Sequence, residues 1–334
     1  MKIFSFNSQV NLQRMLPIKL KYTTFANQLT IPITNVTSKP MALRKAFQFT
    51  LIFAVVFVLF SCNQSKSTVS NGDEIEFDSM LIRKQKHLFN DTAKASATIE
   101  LDLLTPKSTT NEKVRLLIEK SLKIALFGKN DTQSNLKQLA QDYVGVYLKE
   151  YNQLEAIYLK DQEEFAKQKA NKDDSDAYDP MQSAYSYEHN TNVNINYNRD
   201  KILSFTIQRY DYTGGAHGMT TDSCFNLLID QERFLKQEDL FDESSLDKIA
   251  ALIVNQIAKE NKVEKPEKLE EIGYFNVSEI YPNGNILVSK EGVTWIYNPY
   301  DIAAYAIGSV VVTIPFADLK QYLKANHPIE ALLK

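Results

Sequence analysis

Cysteine, histidine, glycine and proline are all scarce in this sequence. Its 334 residues include two cysteines, four histidines, ten glycines and ten prolines. Two cysteines supply neither a disulfide framework nor a cysteine-based metal site, and the histidines stand singly, without the spacing of metal ligands. So few glycines and prolines exclude collagen-like and low-complexity chains. The sequence therefore predicts no metal site and no cofactor.

An excess of positive charge is also absent. The net charge is −3, with 24% charged and 44% hydrophobic residues. A protein that neutralises nucleic-acid phosphates needs a basic face, so we expect no nucleic-acid partner. The composition is that of a globular chain, and at ~100–200 residues per domain the length predicts one or two domains. Seventeen tyrosines and 18 phenylalanines favour β-rich structure with aromatic packing.

Long apolar runs are limited to one, at residues 46–60, and it follows Arg44 and Lys45. A basic segment followed by ~7–15 apolar residues is typical of a secretory signal peptide, whereas a membrane-spanning helix needs ~20. The run ends at Ser61, directly before Cys62. The pattern predicts an export signal; the alternative is a membrane-spanning helix followed by a chance cysteine.

Residues 59–62, Leu-Phe-Ser-Cys, resemble the lipobox of bacterial lipoproteins. In those proteins the chain is cut before the cysteine, and the cysteine receives the lipid; Phe60 is bulkier than the residue usual at its position. The resemblance implies that Cys62 is lipidated and holds the chain on a membrane, because a cysteine with two or three acyl chains anchors stably. Cys224 lies in an apolar, strand-like run and is interpreted as a small core residue rather than a reactive thiol.

The segments around this signal divide the chain. Residues 1–40 contain no apolar run and no acidic residue. Translation is therefore expected to begin at Met41, and the alternative is a short cytoplasmic tail that converts the lipoprotein into a signal-anchored protein. Residues 41–62 are the predicted signal peptide, and 63–74 form a polar, flexible tether. A folded body follows from about residue 75.

Periodicity in this body predicts both strands and helices. The predicted strands are 95–104, 193–197, 202–209, 223–229, 275–280, 293–297 and 309–314. The predicted helices are 114–125, after a capping pattern of Thr109 and Glu112, then 132–168, 244–260 and 317–323. An aromatic stripe on the second helix is interpreted as core. Runs of strands with segregated helices favour an α+β fold with mixed or antiparallel sheets, not a parallel βαβ array.

Two segments have unusual composition: 212–218, Tyr-Thr-Gly-Gly-Ala-His-Gly, and 297–308. Three glycines in the first allow positive φ and close backbone approach, which predicts a tight loop between strands. No Lys-Ser or Lys-Thr follows, so it is not a phosphate loop. His217 either belongs to a structural turn or acts as a base or ligand. The second segment predicts a proline-led turn and a loop anchored by tyrosines.

Together these segments resemble the extracytoplasmic domain family of the lysozyme-binding anti-sigma factor RsiV and the peptidoglycan deacetylase PdaC. The resemblance covers about 75–323 and is most specific after residue 185. Asp301 stands where glutamate is usual, and Ala304 where proline is usual. The matching residues are Tyr212, Gly214, Gly215, Ala216, His217, Gly218, Asn226, Leu240, Phe241, Tyr300, Asp301, Tyr305, Ala306, Gly308, Ile314, Pro315, Phe316 and Leu319.

This resemblance implies an α+β fold of two linked lobes, which we place at 75–230 and 231–334. It supplies no catalytic site, because in the deacetylase the chemistry belongs to a separate domain. We expect neither that domain nor the anti-sigma segment in this chain. The candidate ligand-binding residues are those of the two loops: Tyr212, Gly214, Gly215, His217, Gly218, Tyr300, Asp301 and Tyr305.

The leading hypothesis is a binding or sensing lipoprotein of the cell envelope, whose ligand is peptidoglycan or a wall-attacking protein such as lysozyme. One alternative is a hydrolase or deacetylase-associated enzyme that uses His217 with Asp211 or Asp222, although no nucleophile motif, zinc triad or paired-carboxylate signature is present. Another is an assembly or inhibitor protein that binds an envelope protein. No acidic run of the kind used for surface export follows Cys62, which favours the periplasmic side.

Overall fold

A computed structural model describes residues 74–130, 133–169 and 180–333. The predicted export signal, the predicted lipidation site Cys62 and nearly all of the predicted tether lie outside these residues. In the part of the chain that is described, no helix is both long and apolar enough to cross a membrane.

A six-stranded sheet forms the first layer of the fold. Its strands, in spatial as well as sequence order, are β1 (Phe77–His87), β2 (Ser96–Pro106), β3 (Tyr187–Arg199), β4 (Ile202–Thr213), β5 (Met219–Leu228) and β6 (Arg233–Phe234). Neighbouring strands are antiparallel except β2 and β3, which are parallel. Sequence periodicity predicts four of these strands but not β1, β6 or the parallel pair.

Four helices lie between β2 and β3, because a parallel pair requires a long crossover connection. They are α1 (Glu112–Phe127), α2 (Leu136–Asn152), α3 (Glu155–Lys169) and α4 (Pro180–Ala184). The prediction that Thr109 caps the first helix is wrong, because the N-cap residue is Asn111. Its side chain accepts hydrogen bonds from the backbone N–H groups of Lys113 and Val114. Gly128 ends α1 as predicted, with a φ of 63° that suits glycine.

The single long helix predicted at 132–168 is also wrong, because the chain turns between α2 and α3. Tyr151 and Leu154 flank the turn, and both are buried with Tyr158 in a small cluster that also contains Leu88 and Tyr185. These three residues are spaced i, i+3 and i+7, so they lie on one side of the helical path, and their cluster continues the buried stripe of α2 past the turn. The aromatic stripe is core, as predicted, but its residues divide between two clusters, one on the sheet and one around Leu88 and Tyr185.

One hydrophobic core lies between this sheet and helices α1 and α2. Alternate residues of β4, namely Leu203, Phe205 and Ile207, are fully buried there. We call this side of the sheet the helix face. The residues between them, Ser204 and Thr206, point to the opposite side, as the period of a strand requires.

A three-stranded antiparallel sheet forms the other layer. Its strands are β7 (Ile286–Val288), β8 (Val293–Tyr297) and β9 (Val310–Ile314). The helices of this part are α5 (Gln237–Leu240), α6 (Leu246–Glu260) and α7 (Phe316–Leu319). Trp295 is fully buried in a core that it shares with the apolar side of α6. The strand predicted at 275–280 is wrong, since this segment forms a 3₁₀ turn, Val277–Glu279.

Buried hydrogen bonds join the two sheets. The Asn226 side chain donates to the Ile286 carbonyl at 2.8 Å and accepts from the Val288 N–H at 2.9 Å. The Ser204 hydroxyl donates to the Val288 carbonyl at 2.8 Å. These bonds fix β7 against the second side of the large sheet, which we call the lobe face.

Candidate binding surface

The glycine-rich loop connects β4 to β5, and its shape depends on two glycines. Gly214 has a φ of +83°, and a Cβ there would lie 2.3 Å from the carbonyl oxygen of Ala184. A Cβ at Gly218 would lie 2.4 Å from the ring of Tyr210. At Gly214 the contact is with backbone and φ is positive, so only glycine fits there; at Gly218 the obstacle is the end of the Tyr210 side chain, which would have to move to admit a Cβ. Gly215 also has a positive φ, +97°, but open space around it.

The two predicted loops meet in the structure. The ring of His217 stacks on the ring of Tyr305, with centroids 3.9 Å apart and planes at 22°. The Tyr305 hydroxyl donates to the Gly218 carbonyl at 2.7 Å, which ties the second loop to the first. The Tyr300 ring lies 5.7 Å from that of Tyr305. We call His217, Tyr300 and Tyr305 the aromatic platform.

This platform is open to solvent. His217 is exposed, Tyr305 is half-buried, and Tyr300 is 49% exposed on a backbone with a φ of 71°. A tyrosine rarely takes a positive φ, and such residues concentrate at sites of function. The structure therefore presents three adjacent rings outward, where a ligand can stack on them.

The other predicted residues shape the loops. The Tyr212 hydroxyl donates to the Gly215 carbonyl at 3.0 Å, inside its own loop. The Asp301 carboxylate accepts the N–H of Asn298 at 2.8 Å, which closes the turn after β8. Asp301 itself remains exposed. Of the eight predicted residues, the three rings thus face outward together, while Tyr212 and the glycines hold the backbone.

Asp222 on β5 connects these loops to the large sheet. Its N–H donates to the side-chain oxygen of Asn298 at 2.6 Å, and its carbonyl accepts from the Asn285 amide at 3.0 Å. Its carboxylate accepts from Gln208 at 3.1 Å and from Ser309 at 3.5 Å. Sequence reasoning missed both asparagines; their signal is a position beside a turn-forming glycine or proline, in Asn-Gly-Asn and Tyr-Asn-Pro.

A groove of about 600 Å³ opens between Asp222 and this turn, and we call it the loop groove. Three carboxylates line it, those of Asp222, Glu279 and Asp301. Tyr281, which is 42% exposed, and several asparagines complete the lining. Lysine and arginine do not occur among the described lining residues. The groove therefore suits a neutral or cationic ligand rich in hydrogen-bonding groups.

The catalytic pairing of His217 with Asp211 is not formed. Asp211 accepts instead from His189 Nδ1, at 2.5 Å, on the helix face of the sheet. The other ring nitrogen of His189 lies 3.2 Å from the Tyr143 hydroxyl, and burial raises the pKa of that tyrosine. His217 Nδ1 lies 3.0 Å from the Gly218 carbonyl.

The remaining nucleophile and metal candidates also lack the required chemistry. Burial, reinforced by the nearby Asp222 carboxylate, raises the pKa of Cys224 to about 12, so its thiol stays protonated at neutral pH. Cys224 is half-buried rather than fully in the core. Within the ranges that the structure covers, no three His, Cys, Asp or Glu side chains are grouped so as to hold a metal ion.

Comparison with known families agrees with this architecture. The profile of the deacetylase PdaC family matches residues 92–220, and that of DUF3298, a family described as of unknown function, matches 238–317. A curated relative is the peptidoglycan-N-acetylmuramic acid deacetylase PdaC of Bacillus subtilis, 23% identical over 129 residues. The match covers 38% of this chain and 27% of that protein, so the chain spans well under half of the relative's length.

Solved structures extend the match over most of the described residues. A DUF3298 family member from Bacteroides fragilis is 30% identical, with a TM-score of 0.68, covering 78% of this chain and 98% of that one. A DUF3298 protein from Pseudomonas aeruginosa, 15% identical with a TM-score of 0.50 over 76% and 96% of the two chains, shares the fold. The predicted α+β fold and the RsiV/PdaC-like resemblance are confirmed, and the chain belongs to the DUF3298 family.

Proposed function

We propose that this protein is a non-catalytic module of the cell envelope that binds the glycan of peptidoglycan outside the cytoplasm. The observation that carries the proposal is the outward-facing aromatic platform beside a groove of carboxylates and amides. The relationship to a peptidoglycan deacetylase supports the choice of ligand. Lipidation at Cys62 would hold the module on the periplasmic side of a membrane, with 75–230 and 231–334 as its two lobes.

The chemistry of the surface matches that of a sugar chain. A pyranose ring has a C–H face that packs on aromatic rings, and a rim of hydroxyl and amide groups that hydrogen-bond to carboxylates and asparagines. The platform supplies the rings, and the loop groove supplies the polar groups within the same loop. Asp301 lines that groove next to Tyr300, so one ligand can contact both.

Binding fits the geometry better than hydrolysis does. The His217 ring is covered on one side by Tyr305, and its partner is a backbone carbonyl rather than a carboxylate. A general base is itself the proton acceptor, and it must lie within hydrogen-bond reach of the nucleophile that it activates. The aromatic platform instead holds His217 in a stack of rings at the protein surface.

Titration of the purified protein with soluble peptidoglycan fragments, and in parallel with lysozyme, tests this proposal. We expect micromolar or tighter binding of the fragments, and a loss of about tenfold in affinity for Tyr300→Ala, since aromatic contacts contribute ~0.5–1.5 kcal/mol beyond burial. Leu81→Ala, an exposed residue of β1, is the matched control. Binding of lysozyme without binding of glycan would replace the sugar ligand with a protein ligand.

A further inference from the structure

A second groove lies between the two sheets, and we call it the sheet cleft. Its volume is about 530 Å³, within the range of ~300–1,000 Å³ usual for small-molecule sites. One wall is the lobe face of β3 and β4, where Asn194, Asn196 and Thr206 line the cleft. The other wall is the outer side of the small sheet, with Ile296 and Val311.

The first wall carries hydrogen-bonding groups that have no partner within the described chain. Asn194 and Asn196 are exposed, and their amides make no hydrogen bond to other described residues. Thr206 is only 6% exposed, and its hydroxyl also lacks a partner among them. The Thr206 hydroxyl is not one of the fully buried, unpartnered polar atoms of the described residues, so it opens to the cleft, where a ligand or water can bond to it.

The second wall is largely apolar. Val311 is 52% exposed although it belongs to the central part of β9, and Ile296 lies beside it on β8. The hydroxyls of Thr294 and Thr313 on this wall hydrogen-bond to each other at 2.8 Å, which leaves them fewer hydrogen bonds to offer a ligand. One wall of the cleft thus offers amides and a hydroxyl, and the other offers mainly methyl groups.

The charge of the lining restricts the ligand further. Asp222 and Glu291 line the cleft, and the described lining includes no lysine or arginine. An anion would meet carboxylates without a compensating cation. A neutral ligand with one apolar face and one polar edge matches the two walls, and a pyranose ring has this form.

Asp222 also lines the loop groove, so the two depressions adjoin at this residue. We infer that the sheet cleft is a second saccharide subsite, continuous with the loop groove, and that the protein binds several consecutive sugars of one glycan. This inference rests on the proposed glycan binding and adds that several sugars of the glycan are recognised together.

The test compares fragments of two and four sugars, prepared from peptidoglycan glycan with their lactyl carboxyl groups amidated so that they are neutral, on the full-length protein purified in detergent. The wild-type protein should bind the four-sugar fragment at least tenfold more tightly than the two-sugar fragment. Thr206→Val and Asn194→Ala should each reduce this ratio to below about threefold while the affinity for the shorter fragment is unchanged. Thr220→Val, on the same face of β5 but outside the cleft lining, should leave the ratio intact.

The possible failures are distinguishable. An unchanged length ratio in both cleft variants overturns the second subsite and leaves the platform proposal standing. No binding of either fragment by the wild-type protein overturns both. Asn194 is exposed, so Asn194→Ala keeps the experiment decisive even if a change at the buried Thr206 disturbs folding.

Discussion

The two sides of the six-stranded sheet use the same strands for different purposes. On the helix face, β4 contributes Leu203, Phe205 and Ile207 to a continuous apolar core. On the lobe face, the intervening residues Ser204 and Thr206 are equally inaccessible but polar. Burial alone therefore does not distinguish the sides. The helix face obtains its stability from hydrophobic packing, whereas the lobe face combines apolar contacts of Ile202 and Leu228 with hydrogen bonds that orient a second layer, and a cleft lies beside them.

The largest test of this comparison is Phe205→Ala. Phe205 is fully buried and stacks on Phe225, so its truncation should lower the free energy of unfolding by about 3–5 kcal/mol. The adjacent change Thr206→Val keeps the side-chain volume and removes a hydroxyl that has no partner in the described chain, so it should alter stability by less than about 1 kcal/mol. Urea unfolding followed by circular dichroism measures both. Equal losses would show that the lobe face is packed as a core.

The hydrogen-bonded joint between the sheets should give the next largest effect. Asn226→Ala leaves a buried carbonyl and a buried N–H of β7 unpaired, which should cost about 2–4 kcal/mol. Ser204→Ala removes one hydrogen bond to the same strand and should cost about 1 kcal/mol. The same unfolding measurement applies, with a fluorescence signal from Trp295 on the neighbouring strand β8. A loss for Asn226→Ala no greater than that for Ser204→Ala would argue against a specific role for the paired amide.

The smallest effect on stability at neutral pH concerns Cys224, which lies opposite Thr206 on the lobe face. Its pKa is raised from 9.0 to about 12 by burial and by Asp222. The native thiol should therefore react with iodoacetamide at pH 8 about 100-fold or more slowly than the thiol of the urea-unfolded chain. Mass spectrometry of the peptide that contains Cys224 follows the reaction. Similar rates in the two states would place this face in contact with water.

The sign of the corresponding pH effect follows from the same shift. The unfolded chain releases the Cys224 proton near pH 9, while the native chain retains it until about pH 12. Between these values the native state binds more protons, so the contribution of this residue to stability falls as pH rises. Below pH 9 the thiol is protonated in both states and this contribution is constant.

Sequence periodicity predicted the elements whose local pattern and packing agree. Strands β4 and β8 and helix α6 lie close to their predicted positions, because their apolar residues face one core. Sequence periodicity could not predict the parallel pairing of β2 with β3, because that pairing depends on where the crossover helices pack. The break after Asn152 could not be predicted from the sequence either, since no glycine or proline marks it.

The candidate surface was predictable to a similar extent. The glycines of the first loop and the tyrosines of the second indicated two unusual segments, but nothing local showed that His217 and Tyr305 would stack. The sheet cleft left no recognisable signal, because Asn194 and Asn196 in an alternating strand read as an ordinary solvent face. Their significance depends on Ile296 and Val311, which are more than 90 residues away in sequence.

The parallel pair of strands has a consequence for how the chain reaches its native state. Ala97 pairs with Tyr187, so β2 and its parallel neighbour β3 are separated by about 90 residues of sequence. Until β3 is in place, the hairpin of β1 and β2 forms only an incomplete sheet. Closing so long a loop carries an entropic cost that nearby contacts do not repay until β3 is in place. The β3–β4–β5 meander, built from short connections, is the part suited to form first. We therefore expect the N-terminal hairpin to complete the sheet by docking on the exposed edge of β3, so that the order of assembly runs against the order of synthesis.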